Sequence, residues 1–277
     1  MVARRLGLVS LLAILVPACS HKGPADIATL ASNSDQVVWE AGQKAAAKNN
    51  WEAARQHFKR IVDGFPQSQY GSEARLSLGD SYFREGGYGN LILAVSAYRD
   101  FLTLYPSHPK SDYAQYQVGE CFFLQKNGPD RDQTNTKKSL EEFGRLLEAY
   151  PASGYIEPAR TRIRDCRQSL ARSEYLAGYF YQRTRKAYRA AVARYEIVLS
   201  DFPDYERLDE VLWRLSECLV FSARKAEALP QLDRLLAEYP QSGFASEARQ
   251  LVDQLAKERQ ELNLPPAAPP SQAQGPP

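Results

Sequence analysis

Residues 94–106 read Ala94-Val95-Ser96-Ala97-Tyr98-Arg99-Asp100-Phe101-Leu102-Thr103-Leu104-Tyr105-Pro106, and this stretch decides the fold. It ends in an aromatic residue followed by proline, and the same pair recurs as Phe65-Pro66, Tyr150-Pro151, Phe202-Pro203 and Tyr239-Pro240. Proline lacks an amide hydrogen and its ring clashes with the preceding turn, so each pair ends a helix. Twelve residues before each proline stands a small residue: Ala54, Ala94, Ser139, Ala191 or Ala228. Eight residues before it stands Phe58, Tyr98, Phe143, Tyr195 or Leu232. Five copies of one spacing predict five helices of one kind.

Upstream of each lies a looser signal, clearest in Leu78-Gly79 with Tyr82 and repeated as Ala41-Gly42, Val118-Gly119, Ala177-Gly178 and Leu215-Ser216. The two signals together match the tetratricopeptide pattern, whose period is about 34 residues. The chain therefore reads as all-α, a right-handed solenoid of five tetratricopeptide-like helix hairpins. A small residue on each helix lets its partner approach, and the aromatic of the second helix is expected to fill the gap between neighbouring hairpins. One hairpin cannot bury its apolar face alone; five stacked hairpins can. Relative to the first hairpin, the separation of the two small residues grows by 3, 8, 1 and 0 residues in the next four, with the largest insertion at 126–136. Residues 157–185 read as one long first helix, since Ile163, Leu170, Tyr175 and Phe180 keep helical spacing. It joins two halves of the repeats, 35–156 and 157–256.

The ends read differently. Arg4-Arg5 precede an apolar run from Leu6 to Val16, the form of a secretory signal over 1–18, and the run is shorter than the ~20 residues of a membrane-spanning helix. Val16-Pro17-Ala18-Cys19 resembles a bacterial lipobox, which makes Cys19 the acylated first residue of the mature chain. The only non-protein group expected is this covalent lipid. Ser20 follows where an inner-membrane protein would carry Asp, pointing to the outer membrane of a Gram-negative bacterium, anchored in the inner leaflet and facing the periplasm. Residues 19–34 read as a flexible tether, and 257–277, rich in proline, as a disordered tail.

Composition excludes more than it assigns. The chain carries 35 basic and 33 acidic residues, and a balance so near neutral argues against nucleic acid as partner. Cys121, Cys166 and Cys218 are too far apart for a disulfide framework or a zinc site; buried small residues, or one long-range disulfide, are the two readings. The histidines His21, His57 and His108 stand singly, and no HExxH, Walker loop or GxSxG occurs. Asp130-Arg131-Asp132-Gln133 lacks the glycine and late glutamate of a calcium loop, so it is either a solvated turn or a partner site. No catalytic constellation and no metal site are present, so the expectation is a binding protein.

Positions three before and one after each first-helix small residue avoid the packing pattern. The former hold Trp39, Leu76, Tyr116, Tyr175 and Trp213; the latter hold Gln43, Asp80, Glu120, Tyr179 and Glu217. Phe83, Tyr113 and Phe123 fall on the same face. A groove rich in aromatics and edged with acid follows, built as protein recognition sites are. The alternative is that the solenoid buries this stripe against itself.

The lipobox, the five repeats, the segment His108-Pro109-Lys110 running into Asp112-Tyr113-Ala114 and Tyr116, and the Asp130-Arg131-Asp132-Gln133 loop together resemble the BamD family, the tetratricopeptide-repeat lipoproteins of the β-barrel assembly machinery. The likeness covers 19–256. It implies insertion of β-barrel proteins into the outer membrane. The C-terminal repeats would bind the POTRA domain of a BamA-type barrel subunit, and the N-terminal repeats would receive unfolded outer-membrane proteins. Other Bam lipoproteins are further implied partners. Arg194 matches a family arginine that faces the POTRA domain. Two rival functions, a type IV pilus pilotin and a cell-envelope or division coordinator, also use such repeats in lipoproteins, but neither accounts for the 130–133 loop.

Overall fold

The structure is a computed structural model describing residues 34–261, over which the chain forms eleven α-helices. They run α1 (Asp35–Ala47), α2 (Trp51–Gly64), α3 (Gly71–Glu85), α4 (Tyr88–Leu104), α5 (Ser111–Leu124), α6 (Thr134–Ala149), α7 (Ile156–Phe180), α8 (Tyr188–Asp201), α9 (Leu208–Phe221), α10 (Lys225–Glu238) and α11 (Ala245–Glu261). Each helix packs on the next, giving five antiparallel hairpins with α11 covering the last. Cys19 and the other residues of 1–33, together with 262–277, lie outside the described residues. Residues 257–261, expected in the tail, instead continue α11, whose Leu255 is buried in the C-terminal core.

The aromatic-proline pairs have one geometry. Phe65, Tyr105, Tyr150, Phe202 and Tyr239 cap α2, α4, α6, α8 and α10 with φ of −131°, −133°, −132°, −130° and −129°. The following proline drives its predecessor out of helical ψ, while the aromatic's own N–H still reaches back to the carbonyl four residues earlier. Its carbonyl then accepts from the amide three residues on, which turns the chain into the next first helix.

The small-and-aromatic pairing works within a hairpin, which corrects the expectation that the ring bridges two hairpins. A Cβ on Gly42, Gly79, Gly119 or Gly178 would lie 2.7, 2.6, 2.6 or 2.7 Å from the ring of Phe58, Tyr98, Phe143 or Tyr195, the aromatic of the same hairpin. Only hydrogen fits between helix and ring at that separation. In the fifth hairpin the ring is replaced by Leu232 and the glycine by Ser216, both fully buried.

Neighbouring hairpins are fastened by other residues. In repeats one, three and five a serine in the aromatic-proline turn donates to an aspartate on the first turn of the preceding first helix: Ser68 to Asp35 at 2.7 Å, Ser153 to Asp112 at 2.7 Å, Ser242 to Asp209 at 2.6 Å. The aromatic two residues after that serine stacks on a first-helix aromatic: Tyr70 on Trp39 at 5.5 Å, Tyr155 on Tyr116 at 5.0 Å, Phe244 on Trp213 at 6.2 Å.

Two length expectations change. The three extra residues of the second hairpin are helical, because Gly86 and Gly87 reverse the chain in two residues with φ of 72° and 83°. The long helix stops at Phe180 and widens into a π-turn, Tyr181–Arg185, that directs Gln182 inward. There Gln182 accepts from the Tyr195 hydroxyl at 2.9 Å and donates to Glu217 at 3.1 Å; a continued α-helix would aim it elsewhere. The cysteines Cys121, Cys166 and Cys218 are free and buried. Burial pushes the Cys121 and Cys218 thiols up to about 12, so they are inert.

Candidate functional site

The first-helix face differs along the solenoid. In the N-terminal repeats, α1, α2 and α3 line a recess of about 290 Å³ with Gln43, Trp51, Phe58, Ser77, Asp80 and Arg84. Asp80 forms its floor and accepts from the hydroxyls of Tyr98 at 2.7 Å and Tyr113 at 2.8 Å; Gln117 donates to the latter oxygen. Desolvation raises the Asp80 pKa, and the two tyrosine bonds oppose that rise only in part. Phe83 and Tyr113 are half-buried against the core of repeats two and three. Trp39 is half-buried between Tyr70 and Phe58.

Leu76 is not a groove residue. It is 3% exposed and belongs to that same core. Glu120 is not an open acidic rim either, being 7% exposed. Arg162 of α7 grips both its oxygens, at 2.7 and 3.2 Å, and Tyr116 donates to it at 3.0 Å. The carboxylate beside it helps push the Tyr116 hydroxyl up to about 12, after burial itself. The Arg162 guanidinium also lies 4.2 Å from the centre of the Phe123 ring. Tyr116, Glu120 and Phe123 thus converge on one arginine that spacing within the repeat does not reveal, since it enters from the inserted length of α7.

The 130–133 loop splits between surface and interior. Asp130, Arg131 and Asp132 are exposed, whereas Gln133 is buried and donates to the carbonyls of Gly128 at 2.7 Å and Arg131 at 3.0 Å. Asp132 accepts from the Thr134 hydroxyl at 2.8 Å, and Asn127 donates to the Asp132 carbonyl at 3.2 Å. Gln133 therefore shapes the loop and the other three side chains are what it presents.

The C-terminal repeats close the corresponding face. Tyr175 is buried and donates to Glu210 at 2.5 Å. Glu210 also pairs with Arg207 and, at 3.8 Å, with Arg214, which bonds Glu217 at 3.0 Å. Arg214 lies over both Tyr179 and Phe244. Arg194, on α8, donates to Glu174 of α7 at 2.8 Å and keeps a partly exposed guanidinium.

The YfiO family, described as outer membrane lipoproteins, matches residues 31–219, and a tetratricopeptide repeat matches 210–242, the fifth hairpin. Among similar proteins, one from Caulobacter vibrioides is 25% identical over 79% of this chain and 72% of its own. One from Neisseria gonorrhoeae is 23% identical over 87% and 94%, and one from Haemophilus influenzae 26% over 77% and 83%. All three are called outer membrane protein assembly factor BamD. With more than half of its length matched, and all five hairpins formed, the chain belongs to the YfiO family of outer membrane lipoproteins, a family of scaffolds and not of enzymes.

Proposed function

We propose that the chain is an outer-membrane protein assembly factor, anchored through a lipid on Cys19 and facing the periplasm, that holds unfolded barrel proteins on its N-terminal repeats and a POTRA-bearing barrel subunit on its C-terminal repeats. The assembly role is carried over from relatives of that name, which the chain matches over 72, 94 and 83% of their own length. The division of labour rests on one contrast: the first-helix face is recessed and half-open around Asp80 and Arg84, and bound shut by ions around Glu210. A recess with half-buried rings suits an extended, aromatic-bearing segment, and three or four such anchors sustain a complex of about −8 kcal/mol. A face already bound shut is rigid and suits a folded domain, with Arg194 at its margin.

Capture from detergent-solubilised outer membrane tests this. A POTRA-bearing barrel protein should co-purify, and Arg194→Glu should weaken its capture about tenfold while peptide binding on the N-terminal repeats is retained. Recovery of a secretin, or of no POTRA protein, would point instead to a pilotin or an envelope coordinator.

A further inference from the structure

The near-neutral total conceals a polar distribution. The turns inside the hairpins lie on one edge of the solenoid and the aromatic-proline turns lie on the other, because α1, α3, α5, α7 and α9 all run the same way. On the first edge, the segments 44–52, 84–92, 124–138, 181–189 and 221–227 hold thirteen Lys and Arg against five Asp and Glu. On the second, 63–73, 100–112, 148–157, 201–210 and 238–247 hold thirteen Asp and Glu against two Lys and Arg.

Two further facts separate the edges. Part of the acidic edge is engaged by the protein's own side chains: Asp35, Asp112 and Asp209 receive serine hydroxyls, Glu73 holds Lys110, and Asp204 holds Arg167. On the basic edge, Arg183, Arg185, Lys186 and Arg189 follow one another with no acidic residue between them, and none has a carboxylate partner among the described residues. The same edge carries apolar side chains at the helix ends: Tyr88 begins α4 and is 66% exposed, while Leu124, Phe180 and Phe221 end α5, α7 and α9 at 54%, 46% and 63%. Phe221 stacks on Tyr188 at 4.9 Å and Arg185 lies over Phe180, so rings and cations form one patch.

We propose that the basic edge is a peripheral membrane-contact surface that rests on a bilayer carrying anionic lipid headgroups. Lysine and arginine rows gather anionic lipid, and the exposed rings enter the headgroup layer beneath them. A soluble acidic partner would meet the charge but leave the four helix-end apolar residues in water. A second copy offering its acidic edge would likewise meet the charge and leave those apolar residues in water. For a chain of an outer membrane lipoprotein family, this contact orients the solenoid edge-on to the lipid, so that the first-helix face looks along the membrane instead of into it.

Flotation of the mature chain with Cys19→Ala, which removes the acylation site, isolates this surface. Binding is expected to vesicles of phosphatidylcholine with about one third phosphatidylglycerol, falling steeply with salt, and not to pure phosphatidylcholine. Replacing Arg183, Arg185, Lys186 and Arg189 by glutamine should lower the partition coefficient at least ~10-fold with circular dichroism unchanged. Phe180→Ser with Phe221→Ser should lower it severalfold and leave the salt dependence in place. Equal binding to neutral and anionic vesicles, or undiminished binding of the glutamine variant, overturns the proposal. So does a wild-type chain that ignores vesicles while the glutamine variant loses a co-purifying acidic protein, which would assign the edge to that protein.

Discussion

Two carboxylates on the first-helix face, Glu120 in the N-terminal repeats and Glu210 in the C-terminal ones, look alike in exposure and differ in what surrounds them. Glu120 is gripped by one arginine, Arg162, whose side chain still reaches water. Glu210 is enclosed by Arg207, Arg214 and the buried Tyr175, above a core that runs unbroken from Ala171 to Leu255. The first arrangement is a clasp at the edge of a half-open face; the second is part of the interior. One repeat pattern therefore yields an adaptable region and a stiff one, and the choice is made by the polar residues placed between the packing positions.

The sharpest way to break this comparison is to remove both carboxylates. Glu210→Ala leaves the buried Tyr175 hydroxyl without its acceptor and the mostly covered Arg214 with one carboxylate fewer and should cost about 3 kcal/mol in urea unfolding, whereas Glu120→Ala should cost about 1 kcal/mol because Tyr116 and Arg162 are only partly covered. Equal losses would mean that the two halves are equally sealed. Packing offers a second contrast, of opposite signs. Gly79→Ala forces a methyl against the Tyr98 ring and should destabilise by about 2 kcal/mol, while Gly144→Ala, in α6 with open space around it, should stabilise by about 0.5–1 kcal/mol. A gain at Gly79 would remove the ring contact as the reason for that glycine.

Binding sharpens the same division. Tyr116→Ala should weaken a fluorescent C-terminal barrel peptide about tenfold by anisotropy, and Trp213→Ala, its stacked counterpart in repeat five, should leave the affinity unchanged. The smallest effect concerns pH. The Asp80 carboxyl has its pKa raised by burial, so its contribution to stability is present below the ordinary carboxylate range and is lost as pH climbs through the raised value. Asp80→Asn keeps an acceptor for Tyr98 and Tyr113 and should flatten that slope in urea midpoints taken across the range. A slope unchanged in the variant would assign it to another group.

Much of this was legible in residues alone. The hairpins, their turns and the positions of the small residues and rings follow from spacing, because helix termination by proline and close approach at a small residue are local requirements. The candidate face was legible only as a list of positions. Leu76 obeys the same spacing as Trp39 and Tyr116, yet it is buried in the core shared by repeats two and three, which the spacing within one repeat does not describe. Arg162 is not marked by the repeat spacing because it sits in the added turns of α7, outside the periodic frame.

By itself, then, the sequence determined the all-α class, the five hairpins and the points where each helix stops. Those depend on backbone dihedrals and on side-chain volume a few residues apart. Only the tertiary structure decided which face residues are open and which are clamped, that the ring seals its own hairpin, that Gln182 turns inward on a π-turn, and that the charges of a near-neutral chain sort onto opposite edges. Each of these joins residues some 13 to 42 positions apart, and such pairs acquire an energy only when stacking brings them within contact range.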